Sequence, residues 1–304
     1  MSALSEISSR AFAQSLIEKQ LVFVDHKLAK PSLVLKLGQL VECEIPAVAQ
    51  TELQPLNLKL DIIFEDQFLI VVNKPAHLVV HPAVGHQQDT LVNALLAHTQ
   101  DLSMKNEMRP GIVHRIDKGT SGLLVISKSD AAHQGLSEQF KEHTIERIYY
   151  AYVYGNIGGK KSSGRIETFF GRHPTNRKKM TGTLKSGRRA ITNWWCEKTY
   201  KGVSLVKCQL ETGRTHQIRV HLSEMGFPIV GDPLYGHHEK QAEQIFRKNN
   251  ELGVLLKPLS HQLLHAKSLG FIHPVTKEKL YEQQLEKQKK ERQKKEEKKD
   301  RPKA

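Results

Sequence analysis

The chain has little with which to cross-link or anchor itself. Its three cysteines, Cys43, Cys196 and Cys208, are odd in number and scattered, with neither metal-ligand spacing nor a disulfide framework. They read as small buried thiols in a reduced, cytosolic setting. No run approaches the roughly 18 consecutive apolar residues of a membrane helix. Met1 to Arg10 lacks the charged start and apolar core of a secretory signal. The reading is therefore cytoplasmic, with no membrane partner. No internal repeat and no glycine-rich phosphate loop is present. Apolar residues make up 38% of the 304, a low share diluted by polar ends, and the length suits about two domains.

What the chain has in excess is positive charge, and it is localised. The formal charge is +14. Residues 1–46 carry five basic and five acidic side chains and are neutral. Residues 160–189 hold ten basic residues and one acid, and residues 286–304 hold ten basic and five acidic. The remainder is balanced. Focused positive charge attracts phosphate backbones and steers association. The tail is the weaker signal, because mixed Lys/Glu runs also serve only to keep a chain in solution.

The pattern along the chain predicts a small helix-then-strand unit over residues 1–46. Ser8 or Ser9 caps a helix running to Ile17. Leu21–Val24 and Leu40–Ile45 are strands, with a turn at Lys36-Leu37-Gly38-Gln39. Residues 47–57 read as a linker. The core, residues 58–285, opens with strands at Asp61–Phe64 and Leu69–Val72 and a turn at Asn73-Lys74-Pro75. A helix follows at Thr90–Thr99, then a buried strand at Gly122–Ser127 and a helix capped by Asp130 and reaching about His143. Further strands fall at 148–154, 165–171, 190–198, 203–211 and 263–272. Helices are expected at Thr215–Met225, closed by Gly226, and over 239–252. Many strands with interspersed helices predict an α+β fold around a sheet core. Residues 286–304 are too polar to bury a core and read as a basic disordered tail.

One carboxylate carries the chemistry. Asp117 lies in His114-Arg115-Ile116-Asp117-Lys118-Gly119-Thr120-Ser121-Gly122, followed at once by Leu123-Leu124-Val125-Ile126. A loop fixed by an adjoining strand is where reactive groups concentrate. The bland alternative is a turn aspartate bonded to its own backbone. The pairs His77/His81 and His261/His265 have helical metal-ligand spacing but lack a zinc-protease glutamate, and the first pair reads as strand. No metal is assigned.

The Asp117 run resembles the active-site motif of the RluA family of pseudouridine synthases. Two further runs carry the resemblance: Arg147-Ile148-Tyr149-Tyr150-Ala151-Tyr152-Val153-Tyr154-Gly155, and Glu211-Thr212-Gly213-Arg214-Thr215-His216-Gln217-Ile218-Arg219-Val220-His221-Leu222. Val72-Asn73-Lys74-Pro75 with Val79-Val80-His81-Pro82, and Gly231-Asp232-Pro233-Leu234-Tyr235-Gly236, match more weakly. In order, they span residues 58–283. The resemblance implies a mixed, largely antiparallel sheet and an isomerase that detaches a uracil from its ribose and rejoins it through carbon. It implies no metal or organic cofactor.

The same resemblance assigns residues. Asp117 would be the catalytic carboxylate, acting as nucleophile or base. Arg219 would pair with it, an adjacent guanidinium being what keeps a buried carboxylate ionised. Arg214 competes for that role, and Arg219 is preferred because it follows Ile218 on the inward side of the helix. Tyr149 would stack on the base, on the strand face opposite Tyr150, Tyr152 and Tyr154. Arg115 would contact RNA as the uridine is flipped out. Arg172, Arg177, Lys178, Lys179 and Arg188 would form a basic projection over phosphates, and Arg214 is counted with them. His81, His114 and His216 are read as turn hydrogen-bonding groups. Of Trp194 and Trp195, one faces the core.

Residues 1–46 resemble the C-terminal part of the alpha-L RNA-binding module, with its first helix truncated because only seven residues precede Ser8. The module is neutral where an RNA-binding surface is usually basic. Its presence implies a large-subunit (23S) ribosomal RNA substrate, free or in a pre-ribosomal particle; the enzyme is read as a monomer. Transfer RNA is the alternative substrate. A non-catalytic ribosome-assembly factor on the same scaffold is the alternative function, and it would lack the aspartate, arginine or tyrosine. His-Arg-Ile-Asp is not a kinase loop, in which aspartate follows arginine directly.

Overall fold

The computed structural model describes residues 10–44, 53–83, 85–106, 109–159, 161–236, 240, 243–244, 247, 250–256 and 258–281. The chain divides into two compact units, Met1–Glu52 and Leu53–Ala304. In the first, helix α1 (Arg10–Glu18) precedes strands β1 (Val22–Val24), β2 (Lys27–Leu28) and β3 (Val41–Cys43), which pair antiparallel in the order β2-β1-β3. Gln39 N–H closes the expected turn on Lys36 O, with Gly38 at φ +91°. The proposed caps Ser8 and Ser9, the strand end Ile45 and the tail 286–304 lie outside the described residues.

The second unit is built on a ten-stranded sheet. Its strands are β4 (Ile62–Glu65), β5 (Leu69–Lys74), β6 (Ser121–Ser127), β7 (Glu146–Tyr154), β8 (Ser163–Arg172), β9 (Met180–Thr181), β10 (Arg188–Thr199), β11 (Val203–Leu210), β12 (Leu264–Ile272) and β13 (Lys279–Leu280). They run β4-β5-β6-β12-β7-β11-β10-β8-β9, with β13 beside β12. Among these pairs β6 with β12 is the parallel one, over His265↔Ser121 and Ala266↔Gly122, and the rest are antiparallel. The fold is α+β, as the strand-rich pattern predicts.

The central strands are apolar on both sides because both sides are covered. Ile70, Val72, Leu124, Ile126, Ala151 and Val153 face a cluster roofed by Leu91 and Leu95 of α2 (Leu91–His98) and by Ile218 and Leu222 of α4 (Gln217–Glu224). Leu69, Val71, Val125 and Leu269 face the opposite cluster, which Leu136 of α3 (Asp130–Lys141) fills. Thr90 caps α2 in a reciprocal box with Asn93. Within the stretch read as linker, Leu56 N–H donates to Asn93 O and Asn93 Nδ2 donates to Gln54 O.

Several boundaries shift for identifiable reasons. β5 continues through Asn73 and Lys74, both paired to β6, so the turn expected there begins later. Ser129, not Asp130, caps α3, accepting from Ala132 N–H, while Asp130 accepts from Ser103 Oγ. α4 begins at Gln217 rather than Thr215 because His216 sits at φ +62°, a left-handed conformation that cannot continue a helix. Gly226, at φ +86°, closes it. A short helix, α5 (Asn250–Leu256), falls partly within the expected 239–252 stretch, most of whose remainder lies outside the described residues. Cys208 is buried, whereas Cys43 and Cys196 are half-exposed, so only one of the three thiols is the buried kind expected.

Candidate active site

The Asp117 loop is held from both ends. Ile116 plugs into the core beneath it, and Thr120 N–H donates to Asp117 O to close a tight turn. Thr120 Oγ1 accepts from Gln262 Nε2. Gly122 sits at φ +113° where β6 meets β12, and a Cβ there would lie 2.3 Å from Ala266 O. Only glycine permits this approach. A third tether is Lys74, which is 1% exposed. Its ammonium donates to Pro75 O, Leu78 O and Lys118 O, joining the Asp117 loop to the loop after β5. Burial pulls the Lys74 pKa down to about 8, with the nearby Asp117 charge acting in the opposite sense.

Arg219, on the buried inner face of α4, donates from Nη1 to Asp117 Oδ2 at 2.9 Å. Its Nε and Nη2 are held in a fork by Asp232, at 2.7 and 2.9 Å. Asp232 is fully buried and also accepts the backbone N–H groups of Leu234 and Tyr235. Burial alone would disfavour both charges. The fork outweighs it, so Asp232 titrates below the usual carboxylate range and Arg219 above the usual guanidinium range. Arg214, the competitor, donates to Arg189 O instead. Asp117 Oδ1 makes no hydrogen bond among the described residues, and His216 Nε2 lies 3.9 Å from it. One oxygen is thus anchored and the other is open to the cleft.

His216 and Tyr235 complete this wall. Met180 N–H donates to Tyr235 Oη, and Tyr235 Oη and His216 Nδ1 share a hydrogen bond at 2.8 Å. His216 Nε2 is the ring nitrogen turned toward Asp117. Burial lowers the His216 pKa, partly offset by the Asp117 charge. Tyr149, 8% exposed and on the β7 face expected for it, lines the same cleft. Burial raises its phenol to about 12, so the hydroxyl stays protonated at neutral pH. Asp117, Arg219, Tyr149, Arg115 and Arg214 all line one cleft of about 580 Å³, a size suited to a flipped nucleotide.

Arg115 and His114 line the cleft as well, and the basic candidates Arg172, Arg177, Lys178, Lys179 and Arg188 are not among its lining residues. Arg115 is exposed and donates to His81 Nε2, whose Nδ1 meets Pro82 O. His114 accepts Val125 N–H and stacks on Phe140; burial, then the Arg147 charge, lowers its pKa to about 3. These histidines act as turn hydrogen-bonding groups, as read from sequence. Arg172, Arg177, Lys178 and Arg188 are exposed on and around the β8–β9 and β9–β10 connections, with Arg172 Nη1 donating to Arg177 O. Lys179 is half-buried, its ammonium 6.0 Å from the Tyr235 ring centre. Trp194 faces the core and Trp195 is exposed.

A carboxylate with one anchored and one open oxygen, in a nucleotide-sized cleft also lined by a protonated phenol, suits chemistry at a sugar carbon. Comparison with known proteins agrees. A family model described as RNA pseudouridylate synthase matches residues 68–224. Ribosomal large subunit pseudouridine synthase D of Zymomonas mobilis is 42% identical over 253 residues, covering 82% of this chain and 76% of that protein. The chain belongs to the RluA family of RNA pseudouridine synthases. It is an isomerase acting on RNA. The Pseudomonas aeruginosa protein of the same description is 38% identical over 268 residues, covering 88% of this chain and 81% of that one. The structure of human RNA pseudouridylate synthase domain containing 1 superposes with a TM-score of 0.56 at 26% identity, over 73% of this chain and 82% of that chain. The cleft and its supports hold three groups that sequence reasoning gave no role: Asp232, Lys74 and Arg147. Their only sequence signal was membership of the matching runs.

Proposed function

We propose that this synthase isomerises uridines of large-subunit (23S) ribosomal RNA to pseudouridine, with Asp117 as the reacting carboxylate. The observation that carries the reaction is the Asp117–Arg219–Asp232 chain, which fixes Oδ2 and presents Oδ1 to the cleft beside Tyr149. The ribosomal substrate is supported by the descriptions of the relatives from Z. mobilis and P. aeruginosa.

The chemistry balances without an added reactant. The C1′–N1 bond breaks and its electron pair stays on the uracil, with charge spread over N1, O2 and O4. The ring turns, C5 bonds to C1′, the C5 proton leaves and N1 gains one. Asp117 Oδ1 either bonds C1′ as N1 leaves and is displaced when C5 attacks, or takes a proton from the ribose C2′ and returns it there as C5 bonds to C1′. Arg219 holds the carboxylate in place, and Tyr149 stacks on the ring with its protonated hydroxyl available as a donor. Arg115 stands at the rim, where a strand losing its base needs a replacement. Arg172, Arg177, Lys178, Lys179, Arg188 and Arg214 supply phosphate contacts that position the RNA without reading its sequence. Residues 58–285 carry the reaction, with 1–46 as a flanking module and 286–304 as a tail. The protein works as a cytoplasmic monomer.

The test is turnover of transcripts by the purified protein. Pseudouridine should form in a large-subunit ribosomal RNA transcript and not in transfer RNA. Formation only in transfer RNA would overturn the substrate, and formation in neither would overturn the reaction.

A further inference from the structure

The cleft contains a cation that the Asp117–Arg219–Asp232 arrangement does not use. Arg147 lies on β7 two residues before Tyr149, so the two side chains share the face turned to the cleft. It is 7% exposed. Its Nε and Nη2 are buried and have no hydrogen-bond partner, and among the described residues no carboxylate pairs with it. A buried guanidinium is normally paired, because leaving its donors unsatisfied costs free energy. Here the surroundings confine the charge without neutralising it. The Phe140 ring packs 5.7 Å from the guanidinium carbon, and the neighbouring His114 is neutral at ordinary pH. Nη1 abuts Gly213, where a Cβ would come within 2.6 Å, so the glycine of the Glu211-Thr212-Gly213-Arg214 run makes room for it.

This placement calls for an anionic oxygen brought by the ligand. We propose that Arg147 binds a carbonyl oxygen of the target uracil and stabilises the negative charge that collects there as the C1′–N1 bond breaks. The inference rests on the reaction proposed above. A guanidinium pre-set where charge develops lowers a barrier without reorganising at the moment of reaction. It also holds the detached ring while it turns, since attraction to O2 or O4 persists through the rotation. The same chemistry could come instead from a phosphate of the flipped nucleotide, and the two sources differ in what they predict.

The experiment measures single-turnover rate and RNA Kd for the wild type, Arg147→Met and Arg147→Lys. The RNAs carry uridine, 2-thiouridine or 4-thiouridine at the target, or a methylphosphonate beside it. Arg147→Met should slow the reaction about 100-fold with Kd within about threefold of wild type. Arg147→Lys should recover about tenfold of that loss, since it restores charge without the fork. One thio-substitution should slow the wild type and leave Arg147→Met unaffected, because the sulfur accepts hydrogen bonds poorly. Loss of rate and affinity together, matched by the methylphosphonate RNA, would assign Arg147 to phosphate and overturn the uracil contact. An unchanged rate in Arg147→Met, or equal defects in both variants with a lowered Tm, would also overturn it. Failure of the wild type to act on any uridine RNA would instead count against the proposed reaction.

Discussion

Replacing Asp232 by asparagine isolates what the buried fork does for Asp117. Asparagine keeps the shape and one carbonyl oxygen, so the N–H groups of Leu234 and Tyr235 retain their acceptor. Its amide N–H₂ then takes the place of Oδ2 and faces Arg219 Nε, donor against donor. Breaking a buried charge pair from one side costs about 3–5 kcal/mol. Because Arg219 keeps Asp117 as a partner, the low end applies, about 3 kcal/mol. For a domain of this size that lowers Tm by about 6–12 °C. The guanidinium swings toward its remaining carboxylate and draws Asp117 out of position. A misplacement of about 1 Å costs about 100-fold in rate, so the single-turnover rate should fall by that factor. RNA affinity should stay within about threefold, because Asp232 is fully buried and offers RNA no surface. Thermal unfolding, single-turnover kinetics and filter binding provide the three readouts. A lowered Tm with the wild-type rate would refute the positioning argument.

Other expectations are as direct. Rate against pH should show an alkaline limb at about 8, as Lys74 loses the proton that lets it serve three carbonyls at once, and Lys74→Met should lack that limb. The stability sign is opposite: the folded pKa lies below the unfolded one, so the burial penalty is full below about pH 8 and is relieved as pH rises toward 10.5, which pH-dependent denaturation checks. Tyr149→Phe should keep RNA affinity and lose about 10- to 100-fold in rate, the stacking retained and the donor removed. Gly122→Ala should cost at least about 3 kcal/mol, measured by denaturation, since its Cβ would meet the Ala266 backbone. Replacing Arg177, Lys178 and Arg188 together by alanine should flatten log Kd against log salt by about 2–3 units while leaving the rate at saturating RNA unchanged.

What the sequence disclosed was what local pattern can carry. The apolar runs of β5 and β6 announce buried strands, and the apolar stretch after Thr90 announces α2. The alternation of β7 correctly sets Tyr149 apart from Tyr150 and Tyr152, whereas that of β10 puts one of Trp194 and Trp195 inward without choosing, and the structure chooses Trp194. The two-residue strands β2, β9 and β13 are too short for any period to show. Lys74 followed by Pro75 reads as a surface turn, yet carbonyls from two loops make it a buried strand residue. Asp232 in a Gly-Asp-Pro run reads as a turn former, because its partner lies 13 residues earlier on a helix. The unpaired state of Arg147 is a property of surroundings drawn from β7, α3 and the loop before α4, which no window of sequence contains. The Asp117–Arg219 pair, separated by 102 residues, was legible only through resemblance.

The central claim is that Asp117 performs uridine isomerisation in large-subunit ribosomal RNA. Its most direct test is pseudouridine mapping of total RNA from cells lacking this protein, rescued by wild type or by Asp117→Asn. The account predicts that specific large-subunit sites vanish on loss, return with wild type and stay absent with Asp117→Asn, although the variant is expressed and binds RNA. Restoration of those sites by Asp117→Asn, or no change in any site on loss of the protein, would contradict it.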